Sequence, residues 1–356
     1  MEKMMQKFFL GANSCTGFTS YFEDSFKADD YKAYLIKGGP GTGKSSLMKY
    51  ITACGIQHGE NPILCPCSSD PYSLDGVIFE NRKTVILDAT APHVVEPKLP
   101  GAKEEIINLG DFWDSTELYN KRHKIAEATA KNRLLHKTCS GYLLGCGQLL
   151  NSMLSTAENT ADTEKVISCA KSYVKKFIPD LHKKGSETTR FLQGITPLGI
   201  VSYADTIKNF YLERIVISDP YGAVSNTFMK TIREYALKNG ADIITVRNTF
   251  LPERIIDHIL IPSLSLAFVC ENSTFKLNSD DRRIHARRFM NVTATNELKK
   301  RIRFKKKISR ELLIAACETL ALAKASHDEL EKLYIEAMDF EALSLYSKQL
   351  AQKIFG

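Results

Sequence analysis

Residues 38–45, Gly-Gly-Pro-Gly-Thr-Gly-Lys-Ser, constrain the fold of this chain more than any other stretch. A short apolar run at 34–36 precedes them and a helical stretch follows, so they connect a strand to a helix. Their four glycines permit backbone angles that a Cβ forbids, and such a loop can turn its amides toward an anion. The pattern Gly38-x-x-x-x-Gly43-Lys44-Ser45 is the complete phosphate-binding signature, and it predicts a nucleotide site.

The positions of this loop have distinct predicted roles. The Lys44 ammonium is placed for the β- and γ-phosphates of a nucleotide, and the Ser45 hydroxyl for Mg²⁺. The amino-terminal end of the following helix adds partial positive charge. The predicted nucleotide-binding residues are Gly38, Gly39, Pro40, Gly41, Thr42, Gly43, Lys44, Ser45 and Ser46.

A neighbouring strand should bring an acid to the metal ion. Residues 84–88, Thr-Val-Ile-Leu-Asp, are an apolar run ending in Asp88, which we predict binds Mg²⁺ and is catalytic together with Lys44. The alternative is that Asp88 only caps a turn after a buried strand. Ala89 follows it, where many ATPases have a glutamate that activates water. This favours nucleotide binding over fast hydrolysis.

Four further residues are candidates for that missing role. Asp70 or Asp75 could orient a water molecule or an acceptor hydroxyl, and Thr90 and His93 could sense the γ-phosphate. A turn explains Asp70 equally well, because the sequence Ser-Asp-Pro favours one. Asp75 has a counterpart in the second half of the chain, which favours a structural role for it.

The chain repeats itself at an interval of about 181 residues. Matched positions keep their order over about eighty residues: Phe9 with Phe191, Gly41 with Gly222, Met48 with Met229 and Asp75 with Asp257. Short apolar runs alternate with helical stretches in both copies, a pattern typical of parallel sheets covered by helices. We therefore predict an α/β fold of two tandem P-loop NTPase-like domains, residues 1–187 and 188–356, each ending in a helical extension.

The second copy has lost the chemistry of the first loop. Four positions differ: Ser225 replaces Lys44, Asn226 replaces Ser45, Cys270 replaces Asp88 and Asp219 replaces Gly38. The changes remove the charges that would neutralise a triphosphate, and Asp219 places a carboxylate beside the phosphate position. The second half is therefore predicted to be a degenerate copy.

Composition favours a cytoplasmic protein without a membrane segment. No apolar run approaches the roughly 18 residues of a membrane span, and the first ten residues contain no secretory signal. Nine cysteines without a regular spacing favour reduced thiols. Cys65 and Cys67 have no second Cys or His pair at the spacing of a zinc site.

The net charge of +7 is concentrated in one segment. Residues 282–310 contain twelve basic residues and one acidic residue, Glu297, a local charge of +11, so the remainder sums to −4. Four arginines of this segment are candidates for a transition-state contact with the first site: Arg282, Arg283, Arg287 and Arg288. The stretch 299–310 could contact nucleic-acid phosphates or an acidic protein partner. A solvated basic face is the alternative.

The chain resembles a family of uncharacterised bacterial ATP-binding proteins at three segments, KGGPGTGKSSLMK, CSSDPYSLDGV and ILDATAPHVVEPKLPGAKEEIINLGDFWD. The resemblance extends over essentially the whole chain, including YIEAMDF at 334–340. Members of the family consist of tandem phosphate-loop halves and are often labelled ATPase or nucleotide kinase. The resemblance implies that nucleotide binds at Gly38 to Ser46. The second loop, DPYGAVSN, departs from the family pattern, which argues against two nucleotide sites.

Together these features predict an ATP-binding P-loop NTPase with one active site, which acts as a slow or partner-stimulated ATPase and switch. One alternative is a small-molecule or nucleotide kinase, in which 67–77 and 90–102 form the acceptor pocket. Another is a nucleic-acid-associated regulator that acts through 282–310. ATP and Mg²⁺ are the expected ligands, since the resemblance and the lack of an Asn-Lys-x-Asp guanine-reading tetrad favour adenine.

Overall fold

The computed structural model of the protein describes residues 4–356, except for the side chains of residues 292–298 and 300. Two charges of the basic segment, those of Glu297 and Lys300, therefore lie outside the described side chains. The strands of the described part are β1 Gly11–Ser14, β2 Gly17–Ser20, β3 Lys32–Lys37, β4 Ile63–Pro66, β5 Leu74–Phe79, β6 Thr84–Asp88, β7 Glu104–Asn108, β8 Glu187–Arg190, β9 Gln193–Thr196, β10 Gly199–Ser202, β11 Glu213–Ser218, β12 Ile243–Arg247, β13 Ile256–Ile261, β14 Leu266–Glu271 and β15 Arg283–His285. Its α-helices are α1 Lys44–Gln57, α2 Ser115–Asn120, α3 Arg122–Glu158, α4 Thr163–Phe177, α5 Ala204–Phe210, α6 Ala223–Lys238, α7 Val292–Ile335 and α8 Phe340–Phe355.

The first sheet has the strand order β4-β5-β6-β3-β7. Strand β3 runs parallel to β6 and β7, whereas β5 is antiparallel to both β4 and β6. The predicted α/β class is therefore confirmed, but the prediction of parallel sheets was wrong, because the sheets are mixed. The cause is local, since only residues 80–83 connect β5 to β6. A connection that short joins antiparallel strands, whereas a parallel crossover needs a dozen residues or more.

The second sheet repeats the order of the first. Its order is β15-β11-β14-β13-β12-β8, and each of the first five strands corresponds to one strand of the first sheet. Strand β8 also has a counterpart in the first half, which is the segment at Lys7. A parallel bridge joins Lys7 to Leu64 of β4, just as β8 pairs in parallel with β12. Each half also contains a short antiparallel hairpin, β1-β2 in the first and β9-β10 in the second. The sequence repeat is thus accompanied by a repeat of topology.

Equivalent residues of the two halves pair with each other at their junction. The Phe9 amide donates to the Phe191 carbonyl at 2.8 Å, and the Phe191 amide donates to the Phe9 carbonyl at 2.9 Å. The rings repeat this exchange, because Tyr21 lies 5.0 Å from Phe191 and its equivalent Tyr203 lies 4.8 Å from Phe9. The two halves are therefore related by an approximate twofold axis that passes between Phe9 and Phe191.

One face of each sheet packs against the other sheet. Leu35 and Leu87 of the first sheet share an apolar cluster with Val216 and Val269 of the second. The opposite faces carry the helices, with α1 and α8 on the first sheet and α4 and α6 on the second. The strands are consequently buried on both faces, which explains their continuous apolar runs.

The terminal helices are exchanged between the halves. Helix α8, at the end of the second half, buries Leu343 and Leu350 against α1 of the first half. Helix α4, at the end of the first half, buries Val166 and Val174 against α6 of the second half. The predicted boundary at residue 187 coincides with the first residue of β8. The helical extension before it belongs to the core of the second half, an exchange that the sequence did not indicate.

Two long helices connect the halves. Helix α3 has 37 residues and α7 has 44, and they pack antiparallel over most of their length. Lys121, just before α3, is bonded to Glu336, just after α7, and the Cys146 thiol lies 3.4 Å from the Ser309 carbonyl. The glycines of α3 do not interrupt it, and Gly147 provides room for Cys15 of the hairpin, since a Cβ there would lie 2.1 Å from the Cys15 Cβ. Among the described residues, no helix is both long and apolar enough to cross a bilayer.

The exchange predicts which half a mutation in α8 destabilises. Leu350 is 3% exposed against α1, so Leu350→Ala should lower the free energy of unfolding by about 3 kcal/mol. Hydrogen exchange measured by mass spectrometry should show the lost protection in α1 and β3, more than 260 residues earlier in the chain. The control Leu345→Ala, at a position 59% exposed on the same helix, should change stability by less than about 0.5 kcal/mol. Loss of protection confined to α7 and the second sheet would contradict the exchange.

Candidate phosphate-binding site

The loop between β3 and α1 has the backbone geometry that its glycines permit. Gly41 has φ of 69° and Gly43 has φ of 86°, both in the region that side chains with a Cβ rarely adopt. Gly43 is the residue before α1, and the first amides of a helix have no partner within the helix. Thr42 is buried, and its hydroxyl donates to the Gly39 carbonyl at 2.8 Å. The loop thus presents the amino-terminal end of α1 at the carboxyl edge of the sheet.

Lys44 folds back over its own loop. Its ammonium donates to the carbonyls of Gly38 at 3.2 Å and Gly39 at 2.7 Å. It also lies 3.7 Å from a carboxylate oxygen of Asp88. All three partners are oxygen atoms, and a phosphate oxygen can replace each of them. The ammonium is therefore held within reach of the predicted position of the β- and γ-phosphates.

Asp88 lies beside the loop because of the sheet order. It is the last residue of β6, which is parallel to β3 and pairs Asp88 with Ile36. Its side chain is buried, and one carboxylate oxygen accepts hydrogen bonds from the Thr90 amide at 2.9 Å and from the Thr90 hydroxyl. Thr90, predicted as a phosphate sensor, thus fixes the orientation of Asp88. The sheet brings Lys44, Ser45 and Asp88 to one edge.

The remaining predicted loop residues differ in their surroundings. The Ser45 hydroxyl accepts a hydrogen bond from the Leu74 amide at 3.0 Å, which places β5 directly beside it. Pro40 is partly exposed and Ser46 is exposed. Ser45 keeps its hydroxyl proton and a second lone pair for a further contact.

Asp75 and His93 adjoin Asp88. One potential ligand atom of each of the three residues lies within 4.8 Å of the other two, and all three side chains are buried. His93 Nε2 is 3.7 Å from Asp75 Oδ1, and its ring stacks on Phe22 at 4.9 Å. Burial raises the pKa of Asp75 to about 6, although His93 acts in the opposite direction. This is the only group of three or more such residues with metal-ligand proximity among those the structure describes.

Asp70 lies in a turn and also contacts the second half of the chain. Its carboxylate accepts hydrogen bonds from the Tyr72 amide at 3.2 Å and the Ser73 hydroxyl at 2.9 Å, which is the predicted turn chemistry. It lies in addition 3.5 Å from the ammonium of Lys324 on α7. Lys324 was not among the candidates predicted from the sequence, because there it is an ordinary lysine of a helical stretch.

The end of α7 covers the phosphate loop. A Cβ built on Gly39 would lie 2.6 Å from the Tyr334 ring, and one on Gly41 would lie 2.7 Å from the Glu331 carbonyl oxygen. The Glu331 carboxylate lies 3.4 Å from His327 Nε2. A Cβ on Gly43 would lie 2.9 Å from a methyl carbon of Leu343 on α8. The glycines therefore also permit a close approach of helices from the second half, a role that the motif does not reveal.

The second loop is filled by its own carboxylate. Asp219 is fully buried and accepts hydrogen bonds from the amides of Tyr221 at 3.0 Å and Ser225 at 2.8 Å. By the sequence repeat the Ser225 amide is equivalent to the Lys44 amide at the start of α1. The Asn226 side-chain oxygen accepts from the Ile256 amide at 3.2 Å, so the position equivalent to Ser45 is used for packing.

The arginines of the basic segment lie at the edge of the second sheet. Arg283 is on β15, next to β11, and its guanidinium lies 3.2 Å from the Glu271 carboxylate. Arg282, Arg287 and Arg288 are exposed. No contact between these four residues and the first loop occurs among the described side chains. Lys324 of the second half does contact the first half near this site, through its ion pair with Asp70.

The stretch 299–310 forms part of α7. Ile302 is buried, whereas Phe304 is 69% exposed. The basic residues 301, 303, 306, 307 and 310 are exposed, and the Lys305 ammonium lies 2.7 Å from the Ser152 hydroxyl of α3. This segment thus has one face on α3 and one charged face toward solvent, and it is separated along α7 from the covered loop.

All nine cysteines are free thiols. Cys65 is buried in β4, and burial raises the pKa of its thiol to about 12. Cys139 and Cys146 are buried on α3.

Asp257, the counterpart of Asp75, gives a pH-dependent prediction. Burial raises its pKa from 3.8 to about 7, opposed by hydrogen bonds from the Asn248 amide group. A raised folded-state pKa stabilises the fold below pH 4, and this contribution is lost as the pH rises toward 7. From pH 4 to pH 8, the free energy of unfolding of Asp257→Asn should therefore rise by about 4 kcal/mol relative to that of the parent protein.

Denaturant unfolding at both pH values measures this gain. The control Asp205→Asn, at an 81% exposed side chain, should leave the pH dependence of stability unchanged. An Asp257→Asn variant with the same pH dependence as the parent protein would show that Asp257 titrates at its ordinary pKa in the fold.

Comparisons of the chain with protein-family models, with curated proteins and with solved structures found no match.

Proposed function

We propose that the chain is an ATP-binding P-loop NTPase with one active nucleotide site, in its first half, and a degenerate site in its second half. In this proposal it works as a slow or partner-stimulated ATPase and switch. One observation carries the proposal: the Lys44 ammonium lies 3.7 Å from the Asp88 carboxylate, over a loop with two glycines at positive φ. Lysine, acid and free helix amides are the parts that phosphoryl chemistry in P-loop NTPases requires.

The loop fits a triphosphate. The first amides of α1, with the helix dipole, suit the phosphate oxygens. Lys44 would exchange the carbonyls of Gly38 and Gly39 for the β- and γ-phosphates. Thr42, buried and bonded to Gly39, keeps the loop in shape and exposes no competing side chain.

The side chains next to Lys44 fit Mg²⁺. Ser45 and Asp88 would hold the ion, which when bound neutralises phosphate charge. Thr90 holds Asp88 through two hydrogen bonds. Oxygen ligands from a hydroxyl and a carboxylate, completed by phosphate and water, are the set that Mg²⁺ prefers.

Hydrolysis would depend on Asp75. Ala89 occupies the position after Asp88, so a water molecule must be oriented from elsewhere. Asp75 is the nearest further carboxylate, and His93 holds it at 3.7 Å. A water molecule oriented by Asp75 is a less direct arrangement than one oriented by a glutamate next to Asp88, and this agrees with slow turnover.

Nucleotide occupancy would be sensed by the second half. Tyr334 and Glu331 of α7 lie on the loop, and α7 begins beside the second sheet. Contacts made by phosphate and Mg²⁺ order nearby segments in nucleotide switches, and hydrolysis releases them. Such a coupling suits a switch better than a metabolic kinase, whose acceptor would need an open pocket.

Calorimetric titration with Mg²⁺-ATP tests the proposal. The parent protein should bind one nucleotide per chain, and Lys44→Ala should abolish binding, because it removes the charge nearest the γ-phosphate. Ser225→Lys should not create a second site, because Asp219 already occupies the amides of that loop. Two sites in the parent, or binding that survives Lys44→Ala, would contradict the assignment of one active half.

Turnover in the same samples separates the alternatives. Slow ATP hydrolysis without an acceptor supports the switch, and ADP production that requires an added acceptor would indicate a kinase instead. Turnover that rises with nucleic acid, and falls steeply with salt, would assign the basic segment 282–310 a regulatory role.

A further inference from the structure

Residues 301–310 of α7 form a strongly charged surface that the proposed function does not use. They contain six cations and no acid. Ile302 and Ser309 are buried, and the Lys305 ammonium lies 2.7 Å from the Ser152 hydroxyl of α3. The other five cations are exposed, and we name these side chains the basic surface: Arg301, Arg303, Lys306, Lys307 and Arg310.

The basic surface has no counter-charge within the described part of the molecule. None of its five cations lies within ion-pair distance of a described carboxylate, that of the following residue Glu311 included. The adjoining stretch of α3 supplies none, because residues 138–157 contain no charged residue. Further along the same helix, by contrast, Lys324 pairs with Asp328.

The spacing of these cations costs the helix stability. Arg303 and Lys307 are four residues apart, as are Lys306 and Arg310, so each pair lies on one face of the helix. Like charges at this spacing destabilise a helix, and no described carboxylate offsets their repulsion. An anion from outside the chain would offset it. Several cations in a row suit an anion whose own charges are repeated at short intervals.

An exposed aromatic ring lies among the cations. Phe304 is 69% exposed, and its neighbours on the helix surface are Arg301, three residues before it, and Lys307, three residues after it. No described ring or cation stacks on Phe304. The ring is therefore available to a planar group that arrives together with the anion.

We propose that the basic surface binds single-stranded nucleic acid, with its cations on the phosphates and an unpaired base stacked on Phe304. Cations that follow the backbone and an aromatic ring that stacks on the bases are the two parts of sequence-independent single-strand recognition. A duplex offers the phosphates but keeps its bases inside the stack. The inference concerns a second function, and it does not depend on nucleotide binding at the first loop.

Two other anionic partners match this surface less well. An anionic membrane binds helices that also present a broad apolar face. Here Phe304 is the one exposed apolar side chain of residues 301–310, all of whose exposed side chains are described, since Ile302 is buried and Ile308 is half-buried. An acidic protein segment supplies carboxylates, but it lacks the regular array of planar rings that a single strand offers to Phe304.

Fluorescence anisotropy with a labelled oligothymidylate of about twenty nucleotides tests the inference on the parent protein, without ATP. The logarithm of the association constant should fall with the logarithm of the salt concentration with a slope of about −2 to −3.5. Each phosphate contact with a single strand contributes about −0.7, so this slope corresponds to about three to five contacts. No binding at about 50 mM salt, or a slope near zero, would overturn the inference.

Three substitutions separate the two kinds of contact. Arg303→Gln should weaken binding and make the salt slope less steep by about 0.7, the loss of one phosphate contact. Phe304→Ala should weaken binding about fivefold or more and leave the slope unchanged, because stacking releases no counterion. The control Lys332→Gln, at a 68% exposed side chain paired with Glu329 on the same helix, should change neither.

All three positions are exposed, so the variants should keep the melting temperature of the parent protein. Binding like that of the parent in both Arg303→Gln and Phe304→Ala would overturn the inference. An equal loss of binding in the Lys332→Gln control would also overturn it, because the binding would then follow the total charge and not this surface.

Competition distinguishes the possible partners. A duplex of the same length, polyglutamate and phosphatidylserine vesicles are each added to the complex with labelled oligothymidylate, at equal concentrations of negative charge. Each should displace the label less well than unlabelled oligothymidylate does. Displacement by any of the three that equals or exceeds displacement by the single strand would assign the surface to that partner and overturn the inference. Since these assays contain no ATP, their failure would leave the proposed nucleotide site unaffected.

Discussion

The contact between the inner faces of the two sheets determines the rest of this architecture. Leu35, Leu87, Val216 and Val269 belong to one apolar cluster, which the short helix α5 joins through Ile207. The longer helices pack on the outer faces, α1 and α8 on one and α4 and α6 on the other. The twofold relation through Phe9 and Phe191 then places equivalent loops in equivalent surroundings, each below the end of a long helix from the opposite half.

The two loops share a glycine before the helix and differ in electrostatics. Gly43 in one and Gly222 in the other lie in the left-handed region. In the first loop a lysine bonds the loop carbonyls, and in the second a buried aspartate accepts from loop amides. A carboxylate bonded to helix amides is stable without a ligand, whereas free amides beside a lysine favour an anion. The two loops thus differ in the charge that each loop itself supplies.

The sequence predicted the elements whose signal is local. The loop at 38–45 between a strand and a helix, and Asp88 at the end of β6, both lie where the pattern indicated. It did not predict β5, because Leu74-Asp-Gly-Val-Ile-Phe contains a buried aspartate and a glycine and follows a Ser-Asp-Pro turn. That strand makes the sheet mixed and brings Asp75 to the site.

Long-range contacts could not be predicted from the sequence, and the reason is physical. Glu331 and Lys324 read as ordinary charges of a solvated helix, because periodicity reveals which face of a helix is buried but not what packs on it. The exchange of α4 and α8 has the same cause, since an amphipathic helix suits either sheet. The arginines at 282–288 were considered for the first site by charge alone, and the fold places Arg283 on the edge strand β15 of the second sheet and the other three just before or after that strand. Which surfaces pack together is a property of the topology, and no local pattern of a single sequence encodes it.

The exchange of α8 has a consequence for the order of events on the ribosome. The first sheet is synthesised well before α8, the helix that completes its outer face. Until α8 emerges, α1 keeps an apolar side without cover, and Gly43 lacks its neighbour Leu343. The loop at 38–45 therefore reaches its final surroundings only after α8 has been synthesised. A product that stops short of α8 would carry the whole signature and still be an incomplete domain, recognisable to the proteases and chaperones that bind exposed apolar surface.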